Sequence, residues 1–577
     1  MARANRSIVN SKPNTFNSTW KTDNTSAGSS AANQIAIPLH ISGSYNFTVY
    51  WGDGTSNVIT SYNQPEVTHS YATAGTYNVT MSGYIKGFRF TNTGDRRKII
   101  NISQWGGLKL SSVGSQFYGC DALTLNNISD TPNLYAKNVL PGFSASMAVM
   151  FRSCSLLTSI SRLDQWDTSQ VQYMGQTFYQ AYRFNQNIGS WNTGRVANMD
   201  NMFGLGLTTI THSFNNGGSP SIGNWDTSQV TTFSQMFLYT PNFNQPIGNW
   251  NVSSASIFDF MFYQANTTPS GAFNQDISNW DTGKATSMAG MLFNQNQFNQ
   301  EIGKWNVSNV TNLSSFLGIG NSGTGSFNNN GSSSMKNWNT SKVTTLRAMF
   351  QRQPYFNQEV GLWDVSNVTD MAFFIAGGID KAFNNAGSPS IGLWNTGKVT
   401  TMTSMLVGCR LFDQNVGAWN TSNVLTMDGV FYCSGTPGVF NNGGSSAINN
   451  WNTSKVTNMS GLFRNQALFN QPVNSWDTSK VTDMSNVFYS ATGFNQPLSN
   501  WNVSSSTTVA NFMFGKTFSD YSTANYDTLL IGWASRPVKP NISTNFGSIR
   551  YTAAASASRA ILTSAPNNWT ITDGGQV

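Results

Sequence analysis

Thirteen times the chain writes Trp-(Asp/Asn)-(Thr/Val)-(Ser/Gly), at Trp166, Trp191, Trp225, Trp250, Trp280, Trp305, Trp338, Trp363, Trp394, Trp419, Trp451, Trp476 and Trp501. The intervals are 25, 34, 25, 30, 25, 33, 25, 31, 25, 32, 25 and 25 residues, so a fixed unit alternates with a lengthened one until the end. A period of this size implies stacked repeats, each burying its apolar face against its neighbours. Length then stops counting domains, because such a stack grows to 577 residues by adding turns.

Counting from each Trp as position 0, the apolar places are 0, 5, 8, 11/12, 18 and 22. In one unit these are Trp225, Val230, Phe233, Met236/Phe237, Phe243 and Ile247. The offsets of three and four between positions 5 and 12 predict a short helical segment with one buried face. Phe243-Asn-Gln-Pro-Ile-Gly-Asn-Trp250 is too rich in Gly and Pro for helix and predicts a brief extended strand. The expected fold is therefore a repeat solenoid, a leucine-rich-repeat-like parallel β solenoid with short helical returns. The Asn after the position-18 Phe recurs as Asn185, Asn215, Asn244, Asn274, Asn299, Asn328, Asn357, Asn384, Asn441, Asn470 and Asn495, with Asp413 once in its place. Stacked in register, these side chains form a ladder that satisfies backbone groups at a recurring bend. The Asp/Asn and Ser/Thr after each Trp supply oxygens that turn the chain.

Charged residues make up 10% of the chain, against about 25% in ordinary domains, and 13% are aromatic. Periodic aromatic residues on an uncharged polar background favour packed structure over disorder. Of the net charge of +7, +5 lies in the first hundred residues, so the repeats offer no basic groove for nucleic acid. No stretch reaches the ~18 apolar residues of a membrane span, and the start lacks an apolar signal core, so neither membrane insertion nor Sec export is expected. Cys120, Cys154, Cys409 and Cys433 fall close behind the core Phe or Leu and read as small buried residues, with a Cys409–Cys433 disulfide left open.

Residues 1–32 read as a polar arm with Phe16 and Trp20 as anchor points, and 33–97 as a small antiparallel β-sandwich. Residues 98–165 read as a cap holding two degenerate turns, since Phe117 and Phe151 share the phase of Phe178. The regular repeats fill 166–515, and 516–577 close the stack with two helical stretches, Tyr526–Trp533 and Ala553–Leu562, followed by Trp569-Thr-Ile-Thr-Asp573. Trp51-Gly-Asp-Gly-Thr55, His69-Ser-Tyr71 and Gly75-Thr-Tyr-Asn-Val79 resemble, in that order, the motifs of PKD-type immunoglobulin-like domains, which implies a spacer or adhesion module. Phe494-Asn-Gln-Pro-Leu-Ser-Asn-Trp501 and Trp476-Asp-Thr-Ser-Lys-Val-Thr-Asp-Met484 resemble the repeat of BspA-like leucine-rich-repeat surface proteins. That resemblance implies a non-enzymatic surface protein for adhesion or recognition.

The long units gain residues at two places. One lies before the next Phe-Asn, at 204–213, 266–272, 318–326, 376–382 and 433–439; the other turns Phe-Asn-Gln into Phe-Asn-Asn with Gly and Ser at Phe214, Phe327, Phe383 and Phe440. Insertions at one phase project from one face, and loops carry binding residues. The candidate contacts are Thr211, His212, Thr267, Ser270, Asn321, Thr324, Asp380, Lys381 and Thr436, facing a protein or glycan on a host or partner surface. No catalytic, cofactor-binding or metal-binding residues are expected, because the three histidines lie far apart and no nucleophile, metal or phosphate motif occurs. The expected role is a virion fibre or capsid or tail decoration protein, anchored to the particle through its N-terminal region. A bacterial cell-surface adhesin, a carbohydrate-active enzyme on a β solenoid, an intracellular scaffold and a homo-oligomer stay open.

Overall fold

The computed structural model describes residues 14–110, 114–134, 145–206, 210–265, 270–320, 323–377 and 381–577. They fall into two compact units, Met1–Gln275 and Asp276–Val577.

The first unit begins with an antiparallel sheet. Its strands are β1 (Thr15–Lys21), β3 (Leu39–Tyr50), β4 (Ser56–Ile59), β6 (Thr76–Phe88) and β7 (Ile99–Gln104), in the order β4-β3-β6-β1-β7, with β8 (Leu108–Lys109) parallel to β6. A separate antiparallel pair joins β2 (Gln34–Ala36) to β5 (Thr68–Ser70). The expected arm is corrected here, because β1 sits between β6 and β7 and buries Phe16 and Trp20 completely. Phe16-Asn-Ser-Thr-Trp20 alternates inward and outward, a pattern that pairs with a sheet even in a Ser- and Asn-rich sequence. The expected boundaries at 32 and 97 therefore cut one continuous sheet. The PKD-like residues meet at one turn: His69 Nε2 lies 2.7 Å from Asp53 Oδ2, its ring stacks on Trp51, and Tyr71 donates to the Trp51 carbonyl at 2.9 Å. Gly52 is required there, with φ +83° and a would-be Cβ 2.5 Å from the Asn78 carbonyl.

Strand β7 then hands over to the repeats. Asn101 bridges in parallel to Thr124, Leu125 to Ile160, and Tyr173, Asn198, Thr232 and Ile257 follow as single parallel bridges. The rings of Phe117, Phe151, Phe178, Phe203, Phe237 and Phe262 stack with successive centroids 5.5 to 5.8 Å apart. Phe88 of β6 lies 6.1 Å from Phe117, so the sheet core runs into the repeat core.

In the second unit Ser287, Asn312, Thr345, Asp370, Thr401, Thr426, Asn458, Asp483 and Thr508 bridge in series, one residue per turn and always at position 7. Nine rings at position 18 or its equivalent in a longer turn, from Phe298 through Phe494 to Tyr521, stack at 5.9 to 6.2 Å. Each buried Phe removes an apolar side chain from water, worth ~1.5–3 kcal/mol. The stack ends on the expected helices, α1 (Thr523–Ala534) and α2 (Ala553–Thr563), and on two further parallel strands, Ser543–Asn545 and Thr570–Thr572.

The local structure of the turn differs from the expectation in both halves. Positions 5 to 12 form no helix, and Phe-Asn-Gln-Pro forms no strand. The chain bridges at position 7 and then makes consecutive tight turns. Phe233, Gln235, Phe237 and Tyr239 donate their N–H groups to Ile257, Asp259, Met261 and Tyr263 of the next turn, while Met236, Leu238 and Thr240 donate back three residues within their own. Alternate N–H groups thus serve the stack and the turn, which satisfies the backbone without helix. Position 10 has φ between 53° and 63° in all thirteen repeats, held by residues as different as Gln235, Phe260, Gly290 and Ala348. The apolar spacing of three and four reflects bonds from each residue to the third before it, a period that tight turns share with helix.

Candidate binding surface

The loop residues picked from sequence divide into three sets. Thr267, Asn321 and Asp380 lie outside the described residues. Ser270, Thr324 and Thr436 are exposed and Thr211 is half-buried. His212 and Lys381 are corrected, because both are buried and serve the backbone. His212 Nε2 lies 3.2 Å from the Phe178 carbonyl while Nδ1 accepts the Phe214 N–H, and burial lowers its pKa to about 4. Lys381 donates to the Ile375 carbonyl, and burial lowers its pKa to about 7.

The reason lies in the insertions. A lengthened turn leaves its position-12 carbonyl without the usual neighbour, and the position-15 side chain of the following turn fills the gap. Thr240 Oγ1 donates to Phe203 at 3.2 Å, Gln353 Nε2 to Leu317 at 2.6 Å, Cys409 Sγ to Ile375 at 3.7 Å, and Gln466 Nε2 to Phe431. Unpaired, such a buried carbonyl costs about 1–3 kcal/mol. After the unlengthened Trp451 turn, position 15 is the small Ala491, so the polar choice at this position is a signal present in the sequence. All four cysteines are buried, and no Cys409–Cys433 bond is formed.

The second insertion site builds the surface itself. Phe-Asn-Asn opens a pair of short 3-10 turns: Asn216–Gly218 with Pro220–Asn224 in the first unit, and Asn329–Gly331 with Ser333–Asn337, Asn385–Gly387 with Pro389–Leu393, and Asn442–Gly444 with Ser446–Asn450 in the second. Asn216, Asn329, Asn385 and Asn442 are fully buried with φ of 51° to 55°. Each Oδ1 accepts a backbone N–H of the preceding turn, from Ile188, Ile302, Val360 and Val416, at 2.8 to 2.9 Å. Each Nδ2 donates to the Ser carbonyl three residues on, at 2.7 Å. Asn tolerates the left-handed conformation because its short amide finds partners there.

The ladder residue one turn earlier clamps the same knob. Asn185 Oδ1 accepts from Asn215 and Gly217, Asn299 from Asn328 and Asn330, Asn357 from Asn384 and Ala386, and Asp413 from Asn441 and Gly443, at 2.7 to 3.0 Å. Asp413 does the work of the Asn it replaces, since only its oxygen is used. Elsewhere the ladder runs from side-chain oxygen to the next turn's backbone, as from Asn244 to Asn274 and from Asn441 to Asn470 and on to Asn495. Ser334 and Ser390 donate to Glu301 and Glu359, at 3.0 and 3.1 Å, which ties the second half of two knobs down. Gly218, Gly331, Gly387 and Gly444 face open space at the tips. Beside the first knob lies a shallow groove of about 350 Å³ between Pro220, Gly223 and Asn224 and the next turn's Pro246 and Asn249.

Among the described residues of the basic N-terminal region, four cations are charge-paired. Lys98 is buried 3.4 Å from Asp95, Arg97 lies 2.9 Å from Asp121 with Arg96 at 3.8 Å, and Lys21 lies 3.7 Å from Asp23. Among the described residues no three His, Cys, Asp or Glu side chains gather as a metal site would require, and no helix is long and apolar enough to cross a membrane.

A family model described as Mycoplasma protein of unknown function, DUF285, matches residues 116–216, 145–269, 208–327, 321–436 and 436–531, together well over half of the sequence. The chain belongs to the DUF285 family. The first match starts at the Phe117 turn, so the two degenerate turns are DUF285 repeats too, whereas the N-terminal sheet lies outside every match. No curated protein and no solved structure matches the chain.

Proposed function

We propose that this DUF285 chain is a non-enzymatic surface protein that holds a partner surface through its rows of knobs, most simply a virion fibre or decoration protein facing a protein or glycan of its host. The observation that carries the reading is the identity of the knobs. The Asn that opens each one has φ and ψ of −146° and 34°, −147° and 36°, −147° and 35°, and −140° and 26°. Drifting loops do not converge on one conformation, whereas units selected to meet a repeating surface do. In the second unit the knobs stand two turns apart, ~10 Å by the spacing of stacked strands, and many shallow contacts at a fixed interval gain strength from multivalency.

Membership of a tandem-repeat surface family supports the surface part of the reading. The acids nearest the knobs support the non-enzymatic part. Glu301 accepts hydrogen bonds from Ser332 and Ser334, which hold its carboxyl below its ordinary pKa, so it anchors a loop and is poorly placed to give a proton.

The test is attachment. Replacing the tips of the three second-unit knobs with unrelated turns of equal length, while keeping Asn329, Asn385 and Asn442, is expected to abolish binding to host cells or envelopes and leave the thermal transition in place. Full binding by that variant overturns the proposal. Fractionation of the native source with detection of the chain by mass spectrometry separates the virion reading from a cell-surface adhesin.

A further inference from the structure

Six repeats carry Trp-Asn-(Thr/Val)-Ser, which contains Asn-x-Ser, the acceptor triplet for N-linked sugar. The same residues have a structural use, since the Asn oxygen at position 1 turns the chain. In Asn251, Asn306, Asn339, Asn420 and Asn452, all exposed, Oδ1 accepts the N–H of the Ser two residues on at 3.1 to 3.2 Å. In Asn251 and Asn452 the Ser hydroxyl donates to the same oxygen, at 2.7 and 2.8 Å. This use consumes only the oxygen. The Nδ2 group of these five donates to no acceptor among the described residues, and the residues are exposed.

Two sites carrying the same kind of triplet serve as an internal contrast. Asn309-Val-Thr311 and Asn367-Val-Thr369 also read as acceptors, but Asn309 Nδ2 donates to the Gly283 carbonyl at 2.8 Å and Asn367 Nδ2 to the Ser341 carbonyl at 2.7 Å. A sugar on either nitrogen breaks a bond between turns, so a folded chain has no room for one there.

We propose that the five exposed position-1 asparagines are N-glycosylation sites, the sixth, Asn502, being half-buried. The reaction is a group transfer: Asn Nδ2 forms a bond to the anomeric carbon of a sugar diphosphate donor, the bond from that carbon to the phosphate oxygen breaks, diphosphate leaves, and the amide proton goes to a base of the transferase. Occupancy is limited by the stack. Asn306 and Asn339 lie on consecutive turns, as do Asn420 and Asn452, where Thr421 Oγ1 donates to the Asn452 carbonyl at 2.9 Å. Turns stacked ~4.8 Å apart leave room for one glycan per pair, so Asn251 and one member of each pair carry sugar in any one chain.

The experiment is intact-mass and glycopeptide mass spectrometry on the chain purified from its native source. The expected result is a mass above the 63.0 kDa of the sequence, with glycan on Asn251 and on one member of each pair, and none on Asn309 or Asn367. A mass equal to that of the bare chain, or glycan on Asn309 or Asn367, overturns the proposal. Ser253→Ala keeps Asn251 while removing the acceptor hydroxyl, and is expected to lose the Asn251 glycan alone with an unchanged thermal transition; a retained glycan also overturns it.

Discussion

Gln353 Nε2 donates to the carbonyl of Leu317 at 2.6 Å, across 36 residues, while its Oε1 accepts the N–H of Phe327 at 3.0 Å. One side chain thus fastens both ends of the loop between them. Gln353→Ala leaves two buried backbone groups unpaired, each at about 1–3 kcal/mol. The expected outcome is a lower unfolding midpoint and faster hydrogen exchange at Phe327, with the turns around Trp451 unchanged. Equal exchange in both variants removes the claim.

Asn385 fastens a knob in the same way, and its removal acts locally. Asn385→Ala is expected to cost about 2 kcal/mol from its lost buried hydrogen bonds and to open residues 385–393 to protease while the Phe383 ring stays packed. Limited proteolysis followed by mass mapping reads this directly.

Stability should depend on pH through Lys381. Burial holds its pKa down at about 7 against an ordinary 10.5, so the folded chain releases a proton that the unfolded chain keeps. Below about pH 7 the full cost of a buried charge is present. Between 7 and 10.5 stability rises with pH, and above that it levels off. Lys381→Met is expected to be the more stable variant at pH 6 and to converge on the wild type towards pH 10, as measured by thermal unfolding. His212 adds a loss at lower pH: its folded pKa of about 4 lies below the ordinary 6.5, so its stabilisation is whole above 6.5 and falls away as pH drops to 4.

Position 10 tests the turn geometry. Gly461 has φ +63°, and a Cβ added there meets only the Arg464 Cβ, at 3.9 Å. Gly461→Ala therefore carries a conformational cost and no clash, about 1–2 kcal/mol. Ala348→Gly, at φ 54°, is expected to be stabilising. Paired denaturant melts of the two variants check the sign of each.

Much of this was legible in the sequence, and its limits are physical. Trp225, Val230, Phe233, Met236, Phe237, Phe243 and Ile247 are all buried, as their period implies. The turn conformation was hidden because position 10 accepts Gln, Phe, Ser and Ala besides Gly and Asn, so no residue type marks its left-handed backbone. Strand β1 was hidden because Asn17, Ser18 and Thr19 make a core strand look like a tail. His212 and Lys381 stood out as polar residues in loops, but sequence does not show that a carbonyl lies beneath them. The second Asn of each knob was visible as a repeated pair, yet which of the two was buried depended on backbone angle.

The tie back to each lengthened turn from the one that follows it gives the stack a direction. Leu317 waits for Gln353, Ile375 for Cys409 and Phe431 for Gln466, and at the far end Lys516 donates to the Ala491 carbonyl at 2.6 Å. A chain made from its N-terminus therefore carries an unfinished seam whenever its newest turn is a lengthened one, closed only when the next arrives. Lys516 makes the corresponding tie from the last segment, reaching back to the regular repeats' final turns to fasten the Ala491 backbone.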